Sequence, residues 1–546
     1  MRRLPLLYPS NLKIWNLGRA KAPAIRLPKS NPYYNMGSIS EDRIPGLWRS
    51  RNPKFSGYLG ILAISLMFLV TACKVGPNYY PPQDVMPPEF AEDQPDKTFY
   101  PLDENLLDWW TAFNDPFLDQ LLEETIRGNF DFQIALSKVY QARSQYWIVF
   151  TQILPEIDLS GTATHFRTSQ NFANAANAAN AASASGIAPI SPIQNLFQLG
   201  FDAIWEIDLF GKLRRNADSY FDVWQATDET ARDIKITVLS EVAKTYTLIC
   251  SYQKKVEIAN QSVQSDEWLL ELSNMRFETG LANQQETLAA IGTLDINKAN
   301  LIALQTLLRQ TIYSLAVLLG RQPETLLCEF EMDRPIPYAA GLVPAGLPGD
   351  LLRRRHDIRS AERQLAGATE QIGVAVASLY PSVSLTGSGS SFAANPLQGA
   401  NIGYASDTAS KLFSSPSRIW GIGGFVTWPV IDFGKRSSGV DVQIYLQQQY
   451  YYNYQKTVIT ALQEVEQALV AYFNEERRMH ILEEAAKASK TSFELATDLF
   501  QSGLQNYTQV LQAKNEWLTA QNSLTDSQQA LATDLIAVYK ALGGDW

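Results

Sequence analysis

Cysteine and histidine are scarce in this chain, with three of each in 546 residues. Cys73, Cys250 and Cys328 are too few for a disulfide scaffold, and glycine and proline stay below collagen-like levels. Cys250 falls inside a helical pattern and Cys328 in a connecting segment, so both read as small buried apolar residues. His165, His356 and His480 are scattered, and nothing around them resembles a metal-ligand spacing or a catalytic triad. Gly211-Lys212 and Gly434-Lys435 lack the glycine spacing of a phosphate loop and read as strand-to-helix turns. Basic charge is also short over most of the chain. Residues 73–546 carry 35 Lys and Arg against 54 Asp and Glu, a balance of −19 that argues against a nucleic-acid partner. Only residues 1–72 are basic, with eleven Lys and Arg against Glu41 and Asp42.

The apolar run "GYLGILAISLMFLV", residues 57–70, is too short to span a bilayer, which takes about 20 residues. It reads as the core of a signal peptide. Residues 1–35 fit no signal-peptide scheme, and Met36 is an alternative start. Directly after the run, "VTAC" at 70–73 resembles the bacterial lipoprotein cleavage box. That resemblance implies that Cys73 is the lipidated mature N-terminus, with this covalent lipid the expected modification and no cofactor besides. Lys74 beside it, rather than aspartate, implies sorting to the outer membrane.

Proline is missing where it would interrupt helices: none occurs between Pro192 and Pro323, or after Pro429. A helix from Lys212 to Arg276 would be roughly 100 Å long, longer than any compact domain of this size holds. Val238, Val242, Tyr246 and Ile249 recur at three and four along it, as do Leu462, Val465, Leu469 and Tyr472. Such narrow stripes predict packing against neighbouring helices over the whole length.

The chain repeats itself. At an offset of 226, Pro155 falls on Pro381, Asp131 on Asp357 and Gly161 on Gly387. At 223, Trp205 falls on Trp428, Phe210-Gly211-Lys212 on Phe433-Gly434-Lys435, Gly280 on Gly503 and Leu319-Gly320 on Leu542-Gly543. Each copy reads as a helix (129–153, 355–379), a proline stop, two strands and a long helical hairpin. In "FQLGFDAIWEID", Phe197, Leu199, Phe201, Ala203, Trp205 and Ile207 share one face, and Gln198, Asp202, Glu206 and Asp208 the other. "IDLSGTAT", "SVSLTGSG" and the run through Trp420, Ile422, Val426, Trp428 and Val430 complete four strands. The polar stretches "NFANAANAANAASASG" and "SFAANPLQGANIGYASDTASK" read as the loops between them. Tryptophans at 205, 420 and 428 suit a bilayer interface girdle. Four strands cannot close a barrel, and every strand edge in lipid must be paired, so a dimer or trimer is required.

Five further motifs in order complete the picture: "GPNYYPP", "WWTAFNDPFLDQLLEETIRGN", "WEIDLFGKLRR", "LLGRQPETLL" and "GLPGDLLRRRHDIRSAERQL". With the cleavage box they resemble the TolC and OprM type outer-membrane factors, the NodT-like lipoproteins of RND efflux pumps. The resemblance runs from Cys73 onward. It implies a membrane α+β fold: four strands per protomer, twelve in a homotrimer, forming an outer-membrane β-barrel continued by a long periplasmic α-helical coiled-coil barrel. The expected organisation is a leader (1–72), an N-terminal segment (73–128), a first repeat (129–320), an equatorial linker (321–354) and a second repeat (355–546).

By the same resemblance the chain is a passive exit duct in contact with outer-membrane lipid. It receives drugs or other small molecules from an inner-membrane RND transporter through a periplasmic adaptor, and it needs no bond-making residue. The adaptor would meet the hairpin tips at Arg276, Phe277, Gly280, Leu281, Asn283, Phe500, Gly503, Leu504 and Asn506. Relatives carry acidic residues past the second tip that ring the tunnel entrance; here Gln509 and Gln512 stand in their place. Amides hydrogen-bond without charge, so the expected closed aperture is less sensitive to pH and divalent cations than in those acidic-ring relatives. Arg353 to Arg355 and Arg359 read as a solvated first helical turn, with His356 where relatives usually have proline. Two other readings stand beside this one: an outlet for type I protein secretion, and a lipid-anchored periplasmic spacer without a pore.

Overall fold

The computed structural model describes residues 74–83, 86–92, 109–171, 174–175, 177–178, 191–280, 283–339, 348–385 and 400–544. Cys73, Leu281 and the run at 57–70 lie outside the described residues.

Helix α1 (Pro116–Gly128) starts where the Asp115 carboxylate accepts from the Phe117 and Leu118 amides at 3.0 and 3.3 Å, with proline in the first turn. Asn129 caps α2 (Phe130–Thr151) by accepting from the Phe132 amide at 2.9 Å. Pro155 prevents continuation, and β1 (Glu156–Arg167), β2 (Ile193–Ile204) and β3 (Glu206–Ile207) follow. Gly211 at φ 79° then turns the chain into α3 (Lys212–Glu278), which runs antiparallel to α4 (Gln284–Leu318). After the linker come α5 (His356–Ala377), β4 (Ser382–Ser384), β5 (Ala400–Ser406), β6 (Arg418–Gly421), β7 (Phe425–Thr427), α6 (Lys435–Gln501) and α7 (Tyr507–Ala541). Helices α3 and α6 each have 67 residues, and α4 and α7 each have 35. At about 1.5 Å per residue the longer pair are rods of roughly 100 Å.

The strands form an antiparallel sheet in the order β1-β2-β5-β6 and a small one, β3-β4-β7. Residues 400–406, expected to be loop, form β5, whose Ala400–Ser406 pairs with Ala203–Phe197 of β2. The alternation of Ile402 and Tyr404 with Asn401 and Gly403 is masked in sequence by weak strand formers. Trp428 and Val430, expected in the last strand, lie beyond β7. In register, Ile157, Leu159, Phe201, Ile402 and Trp420 share one face, opposite Asp158 and Asp202. Over the part of the sheet nearer the helices one face is therefore apolar and the other polar, while at the outer end His165, Asn195 and Arg167 fall on the first face and Phe166 and Leu196 on the second.

The helices pack side by side in two tiers. Nearer the strands the order is α2-α3-α5-α6, and farther away it is α4-α3-α7-α6. Where the tiers meet, Leu118, Leu122, Val242, Tyr246, Ile249, Leu315, Val465, Leu469 and Ile536 form the main core. Tyr246 donates to Asp115 there at 2.6 Å. Of the two cysteines among the described residues, Cys250 is buried as expected, with its thiol pushed up to about 12 by burial, but Cys328 is exposed on a short turn.

The triple arginine is likewise not a solvated turn throughout. Arg355 is buried and donates to Ala541 O at 2.9 Å, Asp357 at 2.7 Å and Glu464 at 2.6 Å. His356 beside it is buried with Nδ1 2.7 Å from Glu229, and Arg359 reaches the same carboxylate at 2.5 Å. Burial works to raise the Glu229 carboxyl, but the His356 hydrogen bond and the charges of Arg359 and His356 outweigh it and hold the group below its ordinary value.

Candidate functional site

At the far end of each rod a glycine makes the reversal. Gly280 and Gly503 both have φ 75°, a conformation glycine adopts at little cost, and a Cβ at either would meet nothing within 4 Å. The Gly280 amide donates to Phe277 O and the Gly503 amide to Phe500 O, each at 3.0 Å, satisfying carbonyls left open at the helix ends. Asn283 and Asn506 then cap the returning helices, accepting from the Glu286 and Gln509 amides at 3.1 Å each. At both glycines the turn has open space on its outer side.

The expected tip residues divide into two groups. Phe277 and Leu504 are exposed, Leu504 at 78%, as are Gly280, Asn283, Gly503 and Asn506. Phe500 is fully buried against Leu269, Ala290, Tyr507 and Val510, so its ring is withdrawn from any outside contact. Arg276 is turned inward as well: its guanidinium donates to Phe500 O at 3.0 Å, lies 4.5 Å above the Phe500 ring and stands 3.8 Å from Glu286. These two residues close the tip, with a cation–π contact between the two hairpins. An aromatic and an arginine near a helix end look alike in sequence whether they point in or out.

Behind the tip cluster lies a polar link that the sequence reading missed. Lys514 Nζ is 2.5 Å from Asp266 Oδ1 and donates to Ser262 O at 2.8 Å, while Asn297 donates to the other Asp266 oxygen at 2.7 Å. Both charges are buried, and burial pulls the lysine below its ordinary value against the opposing pull of Asp266. The signal was present in sequence: Lys514 occupies an otherwise apolar stripe of Tyr507, Val510 and Trp517 at helical spacing.

Gln509 and Gln512 are exposed on α7. Gln512 Nε2 donates to Glu516 Oε1 at 3.0 Å, and the spacing of 509, 512 and 516 places all three on one stripe. The amides therefore do not stand alone, because a carboxylate follows one turn later.

At the other end of the rods, the segment after Cys73 is strapped to the strand-helix junction. Val75 N donates to Phe210 O at 3.2 Å, and Lys74 is ion-paired with Asp218. Arg215, 1% exposed, donates to Val75 O at 2.9 Å, Gly76 O at 3.2 Å, Asn78 at 3.0 Å and Glu370 at 2.8 Å. Gly76 and Gly373 allow this packing, since a Cβ on Gly76 would stand 2.7 Å from Gly373 Cα.

Among the described residues both tiers of helices end in apolar edges that nothing covers. Phe130, Ile134, Tyr140 and Ile148 are exposed along α2, and Ile291, Ile296, Ile302 and Val317 along α4. At the opposite edge α6 exposes Val442, Tyr445, Tyr452, Ile459, Ile481 and Leu495. Helix α4 is even long and apolar enough to cross a membrane by length and composition. Among the described residues the larger sheet ends likewise in strands without a further neighbour, β1 on one side and β6 on the other. Among the described residues no group of three or more His, Cys, Asp or Glu side chains could hold a metal ion.

The model of a family described as outer membrane efflux protein matches residues 121–321 and 347–544. The solvent efflux pump outer membrane protein SrpC of Pseudomonas putida is 30% identical over 453 residues, covering 80% of this chain and 86% of that protein. Nodulation protein T of Rhizobium leguminosarum bv. viciae is 27% identical over 493 residues, 89% of this chain and 93% of its own. Among solved structures, the outer-membrane channel OprN is similar with a TM-score of 0.77 at 26% identity, covering 87% of this chain and 100% of that one. The Campylobacter jejuni CmeC outer membrane channel shares the fold with a TM-score of 0.78 at 21% identity, over 87% of this chain and 95% of that one.

Proposed function

This chain belongs to the outer membrane efflux protein family and is an outer-membrane efflux channel with a periplasmic helical domain, and on that premise we propose that three copies close into one continuous exit duct. The observation that carries this reading is the pair of free edges. Within lipid, unpaired backbone at β1 and β6 costs several kcal/mol per group, so β6 of one copy pairs with β1 of the next. The apolar edges of α2 and α4 then meet the apolar edge of α6 on the neighbour, and a head-to-tail contact of this kind generates a ring. Three copies supply twelve strands, above the roughly eight that the smallest barrels use.

The duct has no energy source of its own. It takes small molecules from an inner-membrane RND transporter through a periplasmic adaptor, which docks on the exposed tip residues Phe277, Gly280, Leu281, Asn283, Gly503, Leu504 and Asn506. Gln509, Gln512 and Glu516 line the entrance. Cys73 carries the lipid, a reading supported by its neighbour Lys74, which lies against Gly211 where strands give way to helix and the bilayer ends.

Protein extracted from membranes should run as a heat-resistant trimer and conduct ions in planar bilayers. A folded monomer, or a trimer without conductance, would mean a spacer and not a duct.

A further inference from the structure

The outward face of the sheet carries one feature that a plain lipid-facing wall does not need. Strand β1 leaves the helices and β2 returns to them, so the far end of the sheet, with the β5–β6 connection, is extracellular. On the apolar face, Leu159, Phe201, Ile402 and Trp420 form one row, and Gly161, Leu199, Tyr404 and Arg418 the next row outward. Arg418 thus puts a cation at the outer limit of the apolar part of this face, one step outside the exposed Trp420, with His165, Asn195 and Arg167 following farther out. Its guanidinium makes no hydrogen bond or ion pair with any described residue, although its backbone N–H donates to Ser415 O. A charge on the lipid face is tolerated near the interface and is favourable there only with a counter-charge.

The β5–β6 connection folds back over this face. Ser417 Oγ donates to Lys411 O at 2.8 Å and lies 3.0 Å from Ser414 Oγ, fixing the turn. That turn sets the Phe413 ring edge-on to Tyr404 with centroids 5.5 Å apart. Phe413 and Trp420 bound a groove of about 540 Å³ lined further by Leu159, Leu199, Ile402 and Arg418. Its shape is an apolar slot with a guanidinium at the extracellular end, continuous with the membrane-facing surface.

We infer that this groove binds the phosphorylated, multiply acylated glycolipid of the outer leaflet, with an acyl chain between Phe413 and Trp420 and a headgroup phosphate on Arg418. The planar guanidinium pairs with phosphate through two parallel hydrogen bonds, stronger than neutral ones, and the acyl chain covers exposed aromatic surface. The extracellular position selects the outer leaflet over the phospholipid of the inner one. A transported molecule is excluded as the occupant because the opposite, polar face lines the duct. The inference rests on the proposed duct only in taking the polar face as its lining; the lipid titration reads the outward face by itself, and heat resistance and conductance report on the duct separately.

Native mass spectrometry of the detergent-extracted protein tests it, titrating bis-phosphorylated lipid A, its dephosphorylated form and phosphatidylglycerol. Wild type should prefer the phosphorylated glycolipid. Arg418→Gln should lose about tenfold in affinity for that lipid and nothing for the dephosphorylated form. Phe413→Ala should weaken both glycolipids alike. Arg418 is exposed, so its removal does not threaten folding. Unchanged binding by the glutamine variant, an equal loss for the dephosphorylated lipid, or equal preference for phosphatidylglycerol would each overturn the assignment.

Discussion

Lys514 of the second hairpin and Asp266 of the first meet at 2.5 Å with both side chains almost wholly out of water. A buried pair of this kind gains little over apolar residues of similar size, yet losing one partner strands the other charge. Lys514→Met should therefore cost about 3–5 kcal/mol, whereas Lys514→Met with Asp266→Leu should recover most of that loss. Denaturant melts of the two variants check it. An additive double variant would mean that the pair is not coupled.

The Gln512 to Glu516 hydrogen bond changes what the amide entrance should do. With amides at 509 and 512 alone, Mg²⁺ and pH would leave conductance untouched. With Glu516 on the same stripe, the wild-type channel should show weak block by Mg²⁺ from the periplasmic side. Glu516→Gln should abolish that block, and Gln509→Asp with Gln512→Asp should deepen it. Single-channel recordings over a Mg²⁺ series decide, and block unchanged in Glu516→Gln would place the cation site elsewhere.

Long-range architecture was legible in sequence where one physical signal repeats many times. The proline-free stretches set the rods, and the period-two pattern of Phe197 through Ala203 set β2, because each is read over many residues. Strand β5 was missed because Gly403 and Ala405 carry no β signal of their own, and β2 supplies the pairing. Direction of single side chains was also hidden. Phe277 and Phe500 occupy equivalent sites beside their glycines, yet one is exposed and the other buried. Only packing between the two hairpins, through Arg276 and Tyr507, separates them. Arg355 escaped notice for a similar reason, since its partners Glu464 and Ala541 O are more than a hundred residues away.

The division at the tips gives two variants with opposite signatures. Leu504→Glu places a charge on an exposed apolar residue, so folding should be unaffected while efflux in cells falls to that of a strain lacking the channel. Phe500→Ala leaves a cavity under Arg276 and should cost about 3–5 kcal/mol, lowering trimer heat stability. Comparison of drug susceptibility with heat resistance separates them. Normal efflux with Leu504→Glu would remove the tip from the docking surface.

Asp222, on α3 below the strands, gives the chain a pH dependence of definite sign. Burial, together with Glu370, Asp218 and Glu362, raises its carboxyl to about 7 against the opposing pull of Arg363, whose guanidinium stands 3.9 Å away. Helix α5 closes over it, with Gly367 packed so near that a Cβ there would touch the Asp222 Cβ at 3.4 Å. A folded-state value above the ordinary carboxylate value means that the folded protein holds this proton more tightly than the unfolded chain does. Its contribution is therefore harmless below the ordinary value and destabilises progressively as pH rises from there to about 7, with the full cost present above it. Asp222→Asn should be more stable than wild type at pH ~8, by roughly 2–4 kcal/mol, and indistinguishable from it at pH ~4. The measurement is thermal unfolding of both proteins across that range. A gap that stays constant with pH would show that Asp222 is ionised throughout, held by Arg363 after all.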